Sequence, residues 1–279
     1  MMEWALEQAK ARKIPRLAQR EIGDGSITIA GYGPSLEDTW QKITQPVITM
    51  SGSLKFLLEK GLKPQLGNWF HVDMDPRPHK LEFIENPHPD VIYLMASVCH
   101  PRTWKTLNGA KVVMWHAMSG PHTPIWGAEH APGEPLVTGG STIGLAAVHI
   151  GGCLGFRHFE IHGFDGSFRD HKRHAGDHGG FPQAEIERVE PWGIFMTSKI
   201  MDNANYEVIY MLDNFPIFCV FHGEGLIQSW VKHMDFPNAA LDGTEKADSV
   251  RKGRYIPLTE AQSVDDRNIM LHDASVTRG

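Results

Sequence analysis

Cysteine is scarce in this chain: Cys99, Cys153 and Cys219 are the only three in 279 residues, each in apolar surroundings and none in a CxxC pair. That pattern gives no disulfide framework and fits reduced core thiols of a cytoplasmic protein. Long apolar runs are also missing. No stretch approaches the roughly 18 to 20 residues that a membrane span requires, and MMEWALEQAKARKIPR at the start has no secretory apolar core. A soluble protein with no membrane partner is expected. Basic residues are not in excess, with 27 Lys and Arg against 33 Asp and Glu, a net charge of −6 and no extended Lys/Arg run. This argues against a nucleic-acid surface. A nucleotide stays compatible, because glycine loops bind phosphate through backbone N–H groups without a basic patch.

What the chain does have is a strand–turn–helix rhythm. Ser26–Ala30 is short and β-branched, and Gly31-Tyr32-Gly33-Pro34-Ser35 then turns into a helix near Leu36. Gly31 and Gly33 would permit positive φ and close backbone approach, and Ser35 can cap the helix. The turn lacks the third glycine of a dinucleotide fingerprint and the lysine of a P-loop, so neither NAD nor a P-loop kinase is expected. Val47–Met50, Trp69–Val72, Val91–Met95 and Val112–Trp115 read as further strands, continuously apolar, which predicts a parallel doubly wound sheet with helices on both faces. Residues 117–137, rich in Pro, Gly and His, read as one long irregular connection.

The stretch 139–175 organises the rest. Gly139, Gly140, Ser141 and Thr142 precede a small-residue helix, IGLAAVHIGG, whose N-terminus is a ready phosphate seat. His158–His162 then forms a strand, so Asp165 falls just beyond its carboxyl end, where open α/β sheets place ligands. Asp73 and Asp75 follow another strand with the same spacing on one side, and could hold Mg²⁺ or a ribose or be a polar strand end. The His-rich stretch after Asp165 matches no zinc spacing, and a single His as general acid or base is the simpler reading. Residues 166–195 read as a lid closing His174 on the cleft. As an exposed loop residue, His174 should matter for turnover by roughly 10²-fold and for stability by less than about 1 kcal/mol. Ile217–Phe221 reads as the last strand, and the polar region from about residue 237 as an irregular tail or an arm for a homo-oligomer.

The segments ITIAGYGPSL, ITMSGSLKFLLEKGLKP, HVDMDPR and GGSTIGLAAVHIGGCLGFRHFEIHGFD, followed by His174-Ala175, resemble in this order the 6-hydroxymethylpterin diphosphokinase-like family over about residues 26–222. That family also contains motility-associated factors linked to flagellin glycosylation, and its fold is similar to that of bacterial sialyltransferases. The resemblance implies a Rossmann-like transferase domain at 26–222; before it, residues 1–21 read as a charged, weakly amphipathic helix that makes up an N-terminal segment at 1–25, and an extension follows at 223–279. It also implies a nucleotide donor on Gly31, Gly33, Ser35, Ser51 and the 139–142 loop, Mg²⁺ at Asp73 and Asp75, and chemistry at Asp165 and His174. Ser51 stands where an Asn is usual, and Gln65 where an Asp is usual. The activity implied is pyrophosphate transfer from ATP to a hydroxymethylpterin-like acceptor, with Trp69, Trp115 or Phe164 available to stack a pterin ring. The alternatives are a glycosyltransferase using a nucleotide-activated sugar, and a nucleotide-binding module without catalysis.

Overall fold

The computed structural model describes residues 2–118, 120–138, 140–176 and 183–253. The first helix, α1 (Met2–Ala11), buries Ala5 and Ala9 and is shorter than the expected helical segment up to residue 21. Lys13 in the left-handed region (φ 53°) and Pro15 end it, and Arg16 and Leu17 instead run alongside Met114.

Nine strands form one sheet: β1 (Ser26–Ala30), β2 (Val47–Met50), β3 (Trp69–Asp73), β4 (Ile92–Ala96), β5 (Lys111–Ala117), β6 (Leu136–Val137), β7 (His158–His162), β10 (Phe218–Phe221) and β11 (Ala239–Leu241). The order is β11-β10-β7-β1-β2-β3-β4-β5-β6, and every pair in it is parallel. Strands such as β2 and β10 are buried at every position, so both faces of the sheet are covered. The helices are α2 (Leu36–Thr39), α3 (Ser53–Glu59), α4 (Pro101–Thr106), α5 (Thr123–His130), α6 (Ile143–Cys153), α7 (Lys199–Asn214), α8 (Leu226–Met234) and α9 (Glu245–Arg251). Glycines and alanines make α6 thin enough to lie across β1, β2 and β3. A separate antiparallel hairpin pairs β8 (Ile186–Glu190) with β9 (Gly193–Thr197).

The chain moves from β1 outward through β6, then returns across the sheet to place β7 on the other side of β1. The order therefore reverses between β1 and β7, and the crevice beyond their carboxyl ends is the standard ligand position of such sheets.

Two expectations need correction. Residues 117–137 are not one irregular connection: Pro124 sits in the first turn of α5, where its missing N–H costs nothing, and β6 then joins the sheet edge. The region after 237 is not an irregular tail as far as residue 253. Ala239 and Ala240 are small enough to enter the sheet as β11, and Ala247 and Val250 of α9 close over Phe218 and Val220.

Candidate functional site

Beyond the end of β7 the chain makes a tight loop, 163–167, that packs against the glycine turn after β1. Gly33 N donates to Gly163 O at 2.8 Å. A side chain on Gly33 would place its Cβ 2.6 Å from Asp165 Oδ2 and 2.7 Å from Gly163 O, closer than real Cβ atoms come. Neither Gly31 nor Gly33 has a positive φ. The turn needs glycine for this close approach of two chain segments, and the expected left-handed backbone is absent.

Asp165 fills the seat so formed. Its Oδ2 accepts the Ser35 N–H at 2.7 Å, its Oδ1 accepts the Ser35 hydroxyl, and it is 4% exposed. Ser35 makes no side-chain cap to its own helix, contrary to expectation; Asp165 supplies the cap from across the crevice. Burial raises the Asp165 pKa above the ordinary carboxylate range to about 6, and the two bonds from Ser35 oppose that rise only in part.

The second glycine loop repeats the arrangement. Gly140 lies in the left-handed region (φ 52°), and the Ser141 N–H and hydroxyl both donate to Glu207 Oε2 at 2.8 Å. A Cβ on Gly140 would come within 2.4 Å of that same oxygen. Thr142 is the N-cap residue of α6 but makes no side-chain cap bond. Gly139 lies outside the described residues. The two loops are neighbours, since a Cβ on Gly144 in the first turn of α6 would meet the Phe164 ring at 2.6 Å.

His174 lies beside the first turn. Its ring stacks on Tyr32 at 5.1 Å between centroids, its Nδ1 is 3.3 Å from Tyr32 O, and Arg173 Nε donates to its Nε2 at 2.9 Å. Nε2 as acceptor and Nδ1 beside a carbonyl fit the neutral ring with its proton on Nδ1. Ala175 is buried, and its N–H donates to Tyr32 O. The segment carrying His174 is thus tied to the glycine turn. The expected lid also contains β8 and the start of β9, and its residues 177–182 lie outside the described residues.

Asp73 ends β3 and Asp75 follows it; β3 lies three strands from β7, roughly 14 Å along the sheet at ~4.8 Å per strand. Asp73 Oδ1 accepts the N–H groups of Met74 (2.8 Å) and Asp75 (3.0 Å). Asp75 takes Arg77 in a two-pronged pair at 2.9 Å. With Asp73 Oδ1 on two backbone N–H groups and both Asp75 oxygens on a guanidinium, the pair is not laid out as a ready Mg²⁺ seat, and no group of three His, Cys, Asp or Glu able to hold a metal occurs among the described residues. Ser51, after β2, is in the left-handed region (φ 49°). Asn tolerates that conformation better than other non-glycine residues, which gives a physical reason for the Asn usual there.

A family-level comparison matches residues 5–171, more than half of the chain, to the family described as 6-hydroxymethylpterin diphosphokinase MptE-like. The chain belongs to that family. Its match covers both glycine loops, Asp73, Asp75 and Asp165, and stops before His174 and Glu207. No curated protein matches the sequence. Among solved structures, the MAf glycosyltransferase from Magnetospirillum magneticum AMB-1 is similar with a TM-score of 0.59 at 14% identity, covering 97% of this chain and 41% of that one. This MptE-like chain therefore spans about two fifths of that protein's length, and at such identity the likeness is one of fold.

Trp69 and Trp115 do not reach the crevice of this MptE-like chain. Both are fully buried, donating to Thr49 Oγ1 and Leu94 O, so neither can stack a ligand ring. Phe164 is half-buried beside α6. Sequence reading missed Glu207, which bonds Ser141 from 66 residues away. It also missed the His162–His222 stack, 3.9 Å between centroids, in which His222 Nε2 lies 2.6 Å from Glu160 Oε2. No local pattern marks either.

Proposed function

We propose that this MptE-like chain is a transferase whose anionic donor binds in the crevice between the carboxyl ends of β1 and β7. The reaction best supported is pyrophosphate transfer from ATP to a hydroxymethylpterin-like acceptor. The observation that carries it is the coincidence of the family match with both glycine loops flanking the switch point of the sheet.

Phosphoryl transfer asks mostly for positioning and charge stabilisation. In this reading Ser141 supplies an N–H and a hydroxyl at the start of the 11-residue helix α6, while Asp165 fixes the first turn and does not receive phosphate, since it already fills the Ser35 seat. His174 receives a proton from the acceptor hydroxyl once Arg173 releases its Nε2. Mg²⁺ belongs to this reading through the family resemblance, as a charge-neutralising partner of the donor phosphates. Asp75, paired with Arg77, and Asp73, with Oδ1 on backbone N–H groups, would have to rearrange to hold it.

A second reading is a glycosyltransferase using a nucleotide-activated sugar. It is favoured by the likeness in fold to MAf glycosyltransferase, which spans 97% of the chain and so includes the region beyond residue 171 that the family match leaves out. A thermal-shift series with ATP, GTP, CMP and UDP compounds separates the two, because a ligand that binds only the folded state raises its melting temperature. ATP stabilisation together with AMP release in the presence of a hydroxymethylpterin supports the first reading. Stabilisation by CMP or UDP compounds alone supports the second. Nucleotide binding with no turnover of either donor leaves a non-catalytic module.

A further inference from the structure

The two glycine loops offer the same chemical seat: a serine whose backbone N–H and hydroxyl both point at one carboxylate, next to a glycine that leaves room for it. The carboxylate oxygens stand where the non-bridging oxygens of a phosphate would stand. The seats differ in how firmly they are filled. At Ser35 the occupant is Asp165, 4% exposed, on a short side chain, held between Gly33 and the start of α8, where Ile227 N donates to Asp165 O at 3.1 Å. The helix behind that seat has only four residues. At Ser141 the serine is exposed and the occupant is Glu207, half-buried on a longer side chain with a further rotatable bond, reaching across from α7. Its helix, α6, has 11 residues and a larger dipole to offer an anion.

We propose that Glu207 is an internal mimic of the donor's phosphate, and that donor binding at the second glycine loop displaces it. This rests on the reading that the donor's anionic group binds at residues 140–142. One Glu207 oxygen takes both Ser141 donors, so neither of them is free for an incoming phosphate. A second negative charge about 3 Å away would add repulsion, moderated by the solvent that reaches this exposed serine. The two anions therefore exclude each other. Asp165 cannot play this part, because leaving its seat would strand two buried donors of Ser35. Glu207 thus sets a threshold that an anion must exceed to enter: a pyrophosphate group, with more charge and more acceptor oxygens, can displace it where a single carboxylate ligand cannot. Emptied, the seat turns two neutral–anion hydrogen bonds and the α6 N-terminus toward the donor.

The test is calorimetric titration of the full chain with inorganic pyrophosphate and with ATP, comparing wild type, Glu207→Gln, Glu207→Ala and the double variant Glu207→Ala/Ser141→Ala. Removing the competing anion should tighten pyrophosphate binding by about tenfold or more in Glu207→Ala, the scale of one hydrogen bond to a charged group. Glu207→Gln should fall between it and wild type, since the amide keeps an acceptor for Ser141 and loses the charge. The double variant should lose the gain. Acetate should bind measurably weaker than pyrophosphate to wild type and recover partly in Glu207→Ala. If wild type binds pyrophosphate and both Glu207 variants, folded by their melting curves, bind it equally or more weakly, displacement is wrong while the donor site stands. If neither wild type nor any variant binds pyrophosphate or ATP, the donor site at 140–142 is wrong and displacement falls with it.

Discussion

Asp165 caps a helix that belongs to another part of the chain, accepting the backbone N–H of Ser35, 130 residues away, at 2.7 Å and its hydroxyl as well. This contact locks the end of β7 to the turn after β1, and so fixes the shape of the crevice at the switch point. A buried carboxylate held by two donors there is a framing element first. Its chemical consequences follow from its environment.

Asp165 should make stability depend on pH in a recognisable way. Burial raises its folded-state pKa to about 6, above its value in the unfolded chain, so its favourable contribution is complete below about pH 4 and is lost as pH rises through 6. Asp165→Asn keeps an acceptor and removes the titration, and should gain on wild type as pH rises from 4 to 7 in denaturant unfolding. Asp165→Ala strands two Ser35 donors and should lose about 2 kcal/mol at pH 5. Parallel pH profiles for wild type and Asp165→Asn would reject the account.

His162 should give the opposite slope. It is fully buried with neither ring nitrogen hydrogen-bonded, and its pKa is pushed down to about 3, first by burial and then by His222 stacked on it. The charged groups around the stack are Glu160, Asp242, Arg251 and Lys42, with His222 Nδ1 3.3 Å from Asp242 Oδ2 but not aligned for a hydrogen bond. The folded pKa lies below the unfolded one, so stability is full above about pH 6.5 and falls toward pH 3 by about 1.4 kcal/mol per pH unit for this proton. His162→Phe should flatten that acid limb. An unchanged limb assigns the acid sensitivity to other groups.

Gly33→Ala and Gly152→Ala should move stability in opposite directions. The first drives a methyl into Asp165 and the Gly163 carbonyl, neither of which can yield, and should cost about 2 kcal/mol or more. The second puts a methyl into open space in the last turns of α6 and should gain about 0.5 to 1 kcal/mol from helix propensity. Melting curves of the two variants decide this, and a stabilising Gly33→Ala would show that the crevice relaxes more than the contacts allow.

His174→Ala should lower single-turnover rates by roughly 10²-fold if His174 takes the acceptor proton. The stacking on Tyr32 and the bond from Arg173 replace the expectation of a freely exposed loop residue, so a loss of about 1 kcal/mol in stability should accompany it. His174→Gln keeps a hydrogen-bonding side chain without a base and should recover stability but not rate. Normal chemistry in the folded fraction of His174→Ala would end the proton-acceptor role.

The sequence by itself determined the parallel α/β class, because continuously apolar short strands alternating with helices fit only a sheet covered on both faces, and it put Asp165 at a strand's carboxyl end because a strand's length is local. The glycine turn after β1 and the loop before α6 were equally legible, since Gly, Pro and Ser act on their own backbone. Only tertiary structure decided what the loops hold. Nothing within ten residues of Ser35 or Ser141 points to Asp165 or Glu207: those contacts exist because the sheet brings β7 beside β1 and sets α7 near α6. Asp73 and Asp75 show the same limit, since their spacing said they could converge but not that Arg77 would pair with Asp75 and local backbone N–H groups with Asp73 Oδ1. β11 escaped notice because three residues of strand carry too little pattern to stand out, and its place was fixed by the exposed edge of β10 that it covers.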